Sequence, residues 1–466
     1  MKSIKLVFLI ALKQEIPDFL VATKGCVVTS LKALLAGDQR VFSNLESSVL
    51  TIITGVGKAC SMAASHWVKT HLNPYQVINL GCAGSQSLEL VIGDIVIAKS
   101  VSLQGSMPIT CLDRLPVLGK QLSSLPLVSV GSVENIGDFH DTAVIDMEAY
   151  WQATVFKDTA IAYSSLKYIS DINDTQSLAH VPQHLPAMRQ SFNQLFEPII
   201  RRLTSPLDYS ISVVIPTYNR ANFVVRAIRS VLDQTYPCKC IVVDDASTDD
   251  TLDQLRCFND RIELISLPNN KGVSNARNQG ILAAKTPWVA FLDSDDEWQP
   301  DMLKTQVTYL QHHPLFDICQ CDELWVRNGV VKQKKSYHQK QAGWIFSASL
   351  ERCLISPSAV LLSKQLLETY QGFNESLPAC EDYDLWCHIT RDYPIGFTGN
   401  IGITKYAGHN HQLSEYPFLD QYRIKTLQKV LAQESNFYYH DIIESVLRRK
   451  QQIVSQGKRK RLDRSK

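Results

Sequence analysis

No stretch of the 466-residue chain approaches the ~20 consecutive apolar residues that a membrane helix needs. The opening run, MKSIKLVFLIALKQE, is flanked by lysine but is too short to span. It has no convincing cleavage site and meets charge at once, so it reads as a first buried strand rather than a signal peptide. An excess of one charge is also missing. Lys and Arg total 47 against 46 Asp and Glu, a net charge of +1, which gives no support to a general nucleic-acid role. Among 12 cysteines there is no CxxC pair, only CxC at Cys238/Cys240 and Cys319/Cys321, and no histidine at metal spacing. Free thiols in a reducing compartment are expected, not a disulfide framework or a zinc site. What remains is ordinary for a globular protein, 45% hydrophobic and 20% charged. The length suits about two or three domains.

The densest chemistry lies between Ile211 and Pro300. Three apolar runs, VVI, CIVV and WVAFL, each stop at a polar turn cluster. Short apolar runs alternating with helical patterns predict buried parallel strands in βαβ units. Ligands of such sheets sit at the carboxyl ends of the strands. The residues there are Pro216-Thr217-Tyr218-Asn219, Asp244-Asp245 and Asp293-Ser294-Asp295-Asp296. Clustered carboxylates repel unless they hold a cation or face water. A hard divalent ion shared with a diphosphate would explain them. Tyr218 offers a flat face for a base, and Arg277 a fork suited to phosphate. Asp, Ser and Asn are also favoured in turns and caps, the structural alternative for each taken singly.

VVIPTYNR (213–220), VVDDASTDDT (242–251), GVSNARNQGI (272–281) and FLDSDDEW (291–298) together resemble the nucleotide-sugar half of family 2 glycosyltransferases, which have a GT-A fold. The resemblance implies that Tyr218 and Asp245 contact the nucleoside of a nucleotide-sugar donor. It implies that Asp293 and Asp295 form a DxD element holding the sugar diphosphate through Mn2+ or Mg2+. Asp295 is then the expected metal ligand, with Asp293 as a second candidate.

The first part of the chain also alternates strands and helices, predicting a second α/β core. Glycines after its second and third apolar runs, Gly57 and Gly84 among them, permit close backbone approach to a small ligand. GVGK lacks Walker spacing. ALKQEI, GVGKACSMAA, NLGCAGS, GDIVIA, DMEAY and ISDINDTQS resemble the nucleoside phosphorylase superfamily, in particular the methylthioadenosine/adenosylhomocysteine nucleosidases. Position by position, the resemblance implies that Glu15 activates water, Met147 and Glu148 hold the ribose, and Asp171 protonates the leaving purine. A buried carboxyl with a raised pKa suits that acid role. The segment between GDIV and DMEAY is shorter than in that family, and Tyr150 and Trp151 replace small residues. No arginine stands ready to grip phosphate, so hydrolysis is favoured over phosphorolysis. In the structural alternative, Glu148 and Asp171 cap helices or pair with basic groups.

Past the DxD block, Leu385, Trp386 and Ile389 recur on one face of a helix opened by Glu381 and Asp382. Acids there favour the helix dipole in any case. PACEDYDLW resembles the family 2 block that supplies the catalytic base. It implies that Asp382 deprotonates the acceptor hydroxyl in a single inverting displacement, with Glu381 as the alternative. Ser356-Pro357-Ser358 and Trp386 are expected on the acceptor side. By the same resemblance His409, in KYAGHNHQLSEYP, is a further candidate metal or diphosphate ligand, against an ordinary solvated loop histidine. The basic end from Arg448 to Lys466 is expected to be mobile and able to touch an anionic membrane surface, where lipid-linked acceptors reside.

The expectation is therefore two α/β domains: residues 1–205 phosphorylase-like, 206–435 a GT-A transferase, and 436–466 a basic tail. The protein is expected in the cytoplasm, at the inner face of the membrane for a lipid-linked acceptor, moving a sugar to a glycan or lipid-linked hydroxyl. The rivals are a purine nucleosidase with an auxiliary transferase domain, and a non-catalytic nucleotide-binding regulator.

Overall fold

The computed structural model describes residues 4–22, 26–36, 49–72, 74, 76–85, 90–92, 94–103, 108–110, 123–129, 144–159, 161–172, 181–204, 207–258, 260–335, 338–408, 418–434 and 437–464. It divides into two compact units, Met1–Leu207 and Asp208–Lys466. Each is α/β.

The first unit carries β1 (Leu6–Ile10), β2 (Cys26–Ser30), β3 (Val49–Ile53), β4 (Gln76–Ser85), β5 (Ile95–Leu103), β6 (Ile109–Thr110), β7 (Ser123–Ser129), β8 (Val144–Asp146) and β9 (Ala162–Ile172). Its longer helices are α1 (Lys58–His71), α2 (Ala149–Phe156) and α3 (Val181–Thr204). The sheet runs β2-β3-β1-β4-β8-β7-β5-β6. Because β9 pairs with both β4 and β5, strands β4, β8, β7, β5 and β9 close into a ring. The apolar opening run is a fully buried parallel strand between β3 and β4. Burial on both faces is why it reads as continuous rather than alternating hydrophobicity.

The second unit carries β10 (Ile211–Thr217), β11 (Lys239–Asp244), β12 (Glu263–Ser266), β13 (Trp288–Phe291), β14 (Glu297–Trp298), β15 (Ile318–Arg327), β16 (Val330–Lys332), β17 (Val360–Ser363) and β18 (Gly396–Ala407). Its longer helices are α4 (Val224–Leu232), α5 (Val273–Ala283), α6 (Met302–His312), α7 (Glu381–Asp392), α8 (Leu419–Ala432) and α9 (Phe437–Arg464). Strands β12-β11-β10-β13 are parallel, and β17 and β15 continue the sheet antiparallel. The carboxyl ends of β10 and β11 open side by side, with Asp245 N–H donating to Thr217 O at 2.9 Å. Helix α5 lies hard against β10: a Cβ at Gly280 would stand 2.2 Å from Val214 Cγ1. Only glycine fits that contact.

Where a separate basic tail was expected from residue 436, Phe437–Arg464 is helical. Ile443, Val446 and Leu447 are buried with Tyr383, Cys387, Leu427 and Val430. Apolar positions at helical spacing drive this packing. The helix thereby backs α7, which carries Glu381 and Asp382.

Candidate active site

The carboxyl ends of β10 and β11 are laced together. Asn219 and Ala246 adopt left-handed φ of 52° and 63°. Asn219 N–H donates to Ser247 Oγ at 2.9 Å, and Asn219 Oδ1 accepts from Thr248 N–H at 2.8 Å. Pro216 and Thr217 are buried. Tyr218 is 41% exposed, presenting its ring to solvent at the rim. Asp244 and Asp245 are both buried but differ in use. Asp245 accepts from Lys271 N–H (2.9 Å) and Gly272 N–H (2.7 Å), so both oxygens hold the loop that starts α5. Asp244 accepts from Ser247 N–H at 3.1 Å with one oxygen. Its Oδ1 and the neighbouring Thr217 Oγ1 are buried without a hydrogen-bond partner. Two orphaned polar atoms at adjoining strand ends suit an incoming ligand, since buried polar groups are otherwise satisfied. Asp244 and Asp245 are both expected on the donor side, Asp245 at the nucleoside; each Asp245 oxygen accepts a backbone N–H, and Asp244 Oδ1 is buried without a partner.

The next acids sit on the turn after β13. Ser358 Oγ accepts from Asp293 N–H (3.1 Å) and donates to Asp296 Oδ2 (2.9 Å), tying the turn together. Arg226 on α4 donates to Asp295 O at 2.7 Å and stacks over Tyr406, 3.8 Å from its ring centre. Lys405 on β18 reaches in from the far side. Its Nζ is 3.6 Å from Asp296 Oδ2 and donates to Ser356 Oγ at 2.8 Å, with the side chain 30% exposed. Burial raises Asp296 to about 7, Lys405 opposes the rise, and the Asp293 and Asp295 charges add to it. Lys405 and Arg226 were missed from sequence. A lone lysine in the apolar strand ITKYA was the available signal for the first.

Helix α5 joins this turn to α7. Arg277 is buried, donating from Nη2 to Asp293 Oδ1 and from Nη1 to Glu381 Oε1, each at 2.7 Å. It stacks on Phe373, 4.9 Å to the ring centre. The fork expected to grip a diphosphate is thus committed to two carboxylates. Burial would raise Asp293, but Arg277 and then Lys405 outweigh it and hold the carboxyl below its ordinary value. Along the same helix, Asn275 and Asn278 donate to Glu375 at 2.9 and 2.8 Å, and Asn278 exchanges two hydrogen bonds with the Phe373 backbone. NARNQG is therefore a bolt between the two halves of the unit.

At the start of α7, Cys380 takes a left-handed φ of 63° and turns the two acids that follow. Glu381 is buried, and its carboxyl is raised by burial and then by Asp382, against Arg277. Asp382 is half-buried, accepting from Tyr383 N–H at 2.7 Å and from the Cys353 thiol at 3.4 Å. Trp386, expected to line an acceptor pocket, is a core residue packed on Phe373. Its position one turn into an amphipathic helix directs it inward.

Among the described residues no three His, Cys, Asp or Glu side chains converge as a metal cage. His409 lies outside the described residues. A cation such as Mg2+ is commonly held by one or two carboxylates, with phosphate oxygens and water completing its shell. The turn offers two such carboxylates, Asp293 and Asp295, both half-buried, with Asp293 Oδ1 already held by Arg277.

In the first unit, Glu15, Asp146, Glu148 and Lys167 form a buried nest. Lys167 Nζ lies 2.9 Å from both Asp146 Oδ2 and Asn79 Oδ1. Glu15 accepts from Leu12 N–H (2.9 Å) and Cys82 N–H (3.4 Å). Glu148 accepts from Gly57 N–H at 3.2 Å, and Gly57 has φ 88°. Burial raises Glu148 to about 7, opposed by Lys167 and reinforced by Asp146. Asp146, not Glu148, caps α2 through Ala149 N–H at 3.0 Å. Met147 is half-buried beside it. Gly84 pairs with Ile145 on β8 and with Asp171 on β9. The Asp171 side chain lies outside the described residues. Lys167, another lysine within an apolar strand, was missed.

Residues 212–350 match the model of glycosyl transferase family 2, and residues 5–116 that of the phosphorylase superfamily. Among curated proteins, the Escherichia coli UDP-Glc:alpha-D-GlcNAc-diphosphoundecaprenol beta-1,3-glucosyltransferase WfgD is 32% identical over 40% of this chain and 72% of its own. Its E. coli counterpart WfaP is 28% identical over 49% and 92%. The Bacillus subtilis putative teichuronic acid biosynthesis glycosyltransferase TuaG is 28% identical over 50% and 88%. The S. aureus TarS 1-349 structure in complex with UDP-GlcNAc aligns at 20% identity over 51% of this chain and 70% of that one, with a TM-score of 0.43. The chain belongs to glycosyl transferase family 2. It is a glycosyltransferase whose GT-A unit follows a phosphorylase-like unit. No helix among the described residues is long and apolar enough to cross a membrane.

Proposed function

We propose that the second unit moves a sugar, with inversion, from a nucleotide-sugar to a hydroxyl of a lipid-linked or glycan acceptor. The observation that carries this is Arg277, which bridges Asp293 on the donor turn and Glu381 at the start of α7, 2.7 Å to each. One guanidinium thus holds the turn proposed for the diphosphate against the helix proposed for the base. Tyr218 stacks the nucleobase, while Thr217 and Asp244, with orphaned oxygens, hydrogen-bond the nucleoside. Asp295 and Asp293 would hold a divalent cation, which would supply positive charge beside the diphosphate. Lys405 adds a fixed positive charge beside the same turn.

Asp382 is the stronger candidate base. Glu381 is buried and bonded to Arg277, whereas Asp382 is half-buried and keeps acceptor capacity beyond its two donors. It takes the acceptor proton as the hydroxyl oxygen bonds to the anomeric carbon, and the diphosphate leaves with the electrons of the broken C–O bond. WfaP and WfgD, named for transfer to a diphosphoundecaprenol-linked sugar, support an acceptor of that class. Incubation with labelled nucleotide-sugars and Mn2+ should release nucleoside diphosphate. Absence of release across the common sugars would defeat this reading.

A second reading concerns the first unit. The Glu15–Lys167–Glu148 nest supports hydrolysis of a purine nucleoside, with Glu15 activating water and Glu148 holding the ribose. Adenine release from methylthioadenosine, lost in Asp171→Asn, tests it.

A further inference from the structure

Strands β15 and β16 form a hairpin whose turn, Asn328-Gly329, has φ of 51° and 77°. Two positive φ values suit the tight turn that matches strand twist. All three residues of β16 are exposed, and β16 lies off the path of the sheet, paired with β15. Val330 and Val331 are each 57% exposed. Successive strand residues face opposite sides. Neither face of the hairpin's outer strand is therefore covered.

The chemistry around the valines is one-signed. Between Trp325 and Lys335 stand Arg327, Lys332, Lys334 and Lys335, with no acid. Lys334 pairs with Asp322 behind the tip. The positive field extends to His338, whose imidazole is held low by burial, then by Arg352, Lys335 and Lys334.

The tip is close to the transferase site. Along β18, Lys405 pairs with Trp325, Tyr406 with Val326 and Ala407 with Arg327. Asn328 N–H donates to Ala407 O at 3.1 Å. The turn therefore begins about 10 Å along the strand from Lys405, three residues at strand rise. Lys405 itself borders Asp296.

We propose that this hairpin docks the protein on an anionic lipid surface, with Val330 and Val331 entering the headgroup layer and the surrounding basic side chains meeting lipid phosphates. This rests on the lipid-linked acceptor reading above. Exposed apolar residues ringed by Lys and Arg match such an interface, where apolar burial and charge attraction add. Pairing of the open edge with a second copy would bring two basic arms together, which like-charge repulsion opposes. An acceptor anchored in the membrane by its lipid would then present its sugar where the donor turn can reach it.

The test is flotation of the full chain with phosphatidylcholine vesicles, alone or mixed with phosphatidylglycerol. The wild type should float with the mixed vesicles and not with the neutral ones. Val330→Asn/Val331→Asn should lower partition at least about tenfold, and Lys332→Gln/Lys335→Gln by a similar factor that high salt also produces. Both double variants should keep the wild-type melting temperature and wild-type release of nucleoside diphosphate with a soluble acceptor. Equal flotation of the valine variant overturns the proposal. So does loss confined to a variant lacking residues 457–466, or a change of oligomeric state in place of lipid binding. Failure of nucleotide release in every form, in solution, counts against the transferase reading instead.

Discussion

Arg277 and Glu381 meet at 2.7 Å inside the second unit, and the same guanidinium holds Asp293 at 2.7 Å. Arg277→Ala leaves the buried Glu381 and the half-buried Asp293 without the cation they share. Loss of one partner of a buried ion pair costs about 3–5 kcal/mol. Chemical denaturation should show a loss of that order, and Arg277→Ala/Glu381→Gln should recover part of it. Arg277→Lys should keep the fold but lower turnover, since one ammonium does not span both acids as a planar fork does.

Thr217 separates ligand binding from stability. Its buried Oγ1 has no partner. Thr217→Val should leave the melting temperature unchanged or slightly higher, because an unsatisfied hydroxyl is removed. Nucleoside diphosphate binding, measured by calorimetry, should weaken by roughly 5–10-fold for one lost hydrogen bond.

Asp382→Asn keeps the shape and removes the proposed base. Turnover should fall by about 10²–10⁴-fold. Donor binding by thermal shift should persist. Asp295→Asn should instead raise the Mn2+ concentration needed for donor binding.

Gly280 tests the α5 bolt. An alanine methyl would stand 2.2 Å from Val214 Cγ1. Gly280→Ala should destabilise by about 1–3 kcal/mol through overpacking. Val214→Ala in the same chain should relieve part of the loss.

Glu148 sets a pH dependence for the first unit. Its folded pKa is raised to about 7, chiefly by burial. A raised folded pKa means that the folded state binds the proton more tightly. Stability is therefore full below the ordinary carboxylate range and declines as pH rises through about 7. The full loss is on the order of 3 kcal/mol. Glu148→Gln should flatten the melting profile between pH 5 and 8 and be the more stable form at the upper end.

Much of the architecture was legible along the chain. VVI, CIVV and WVAFL became β10, β11 and the β13 segment, and their polar stops became the strand ends. The opening run became a central buried strand. Hydrophobic runs, β-branched residues and turn formers act locally, so their message survives without knowledge of the fold. The partners of the charges did not survive in that way. Arg277, expected from sequence as a phosphate fork, is held between Glu381, 104 residues away, and Asp293, 16 away, partners no local pattern announces. Asp245 and Asp244 are neighbours with opposite commitments, separated only by which backbone amides reach them.

The sequence by itself determined two α/β units, the strand ends where acids gather, and the family those blocks resemble. Tertiary structure alone decided which acid is neutralised, which oxygen is left open, and that Lys405 and Lys167 stand among carboxylates. The reason is physical. Strand and turn preferences depend on adjacent residues, whereas charge compensation and burial depend on whatever the fold carries to within a few ångströms.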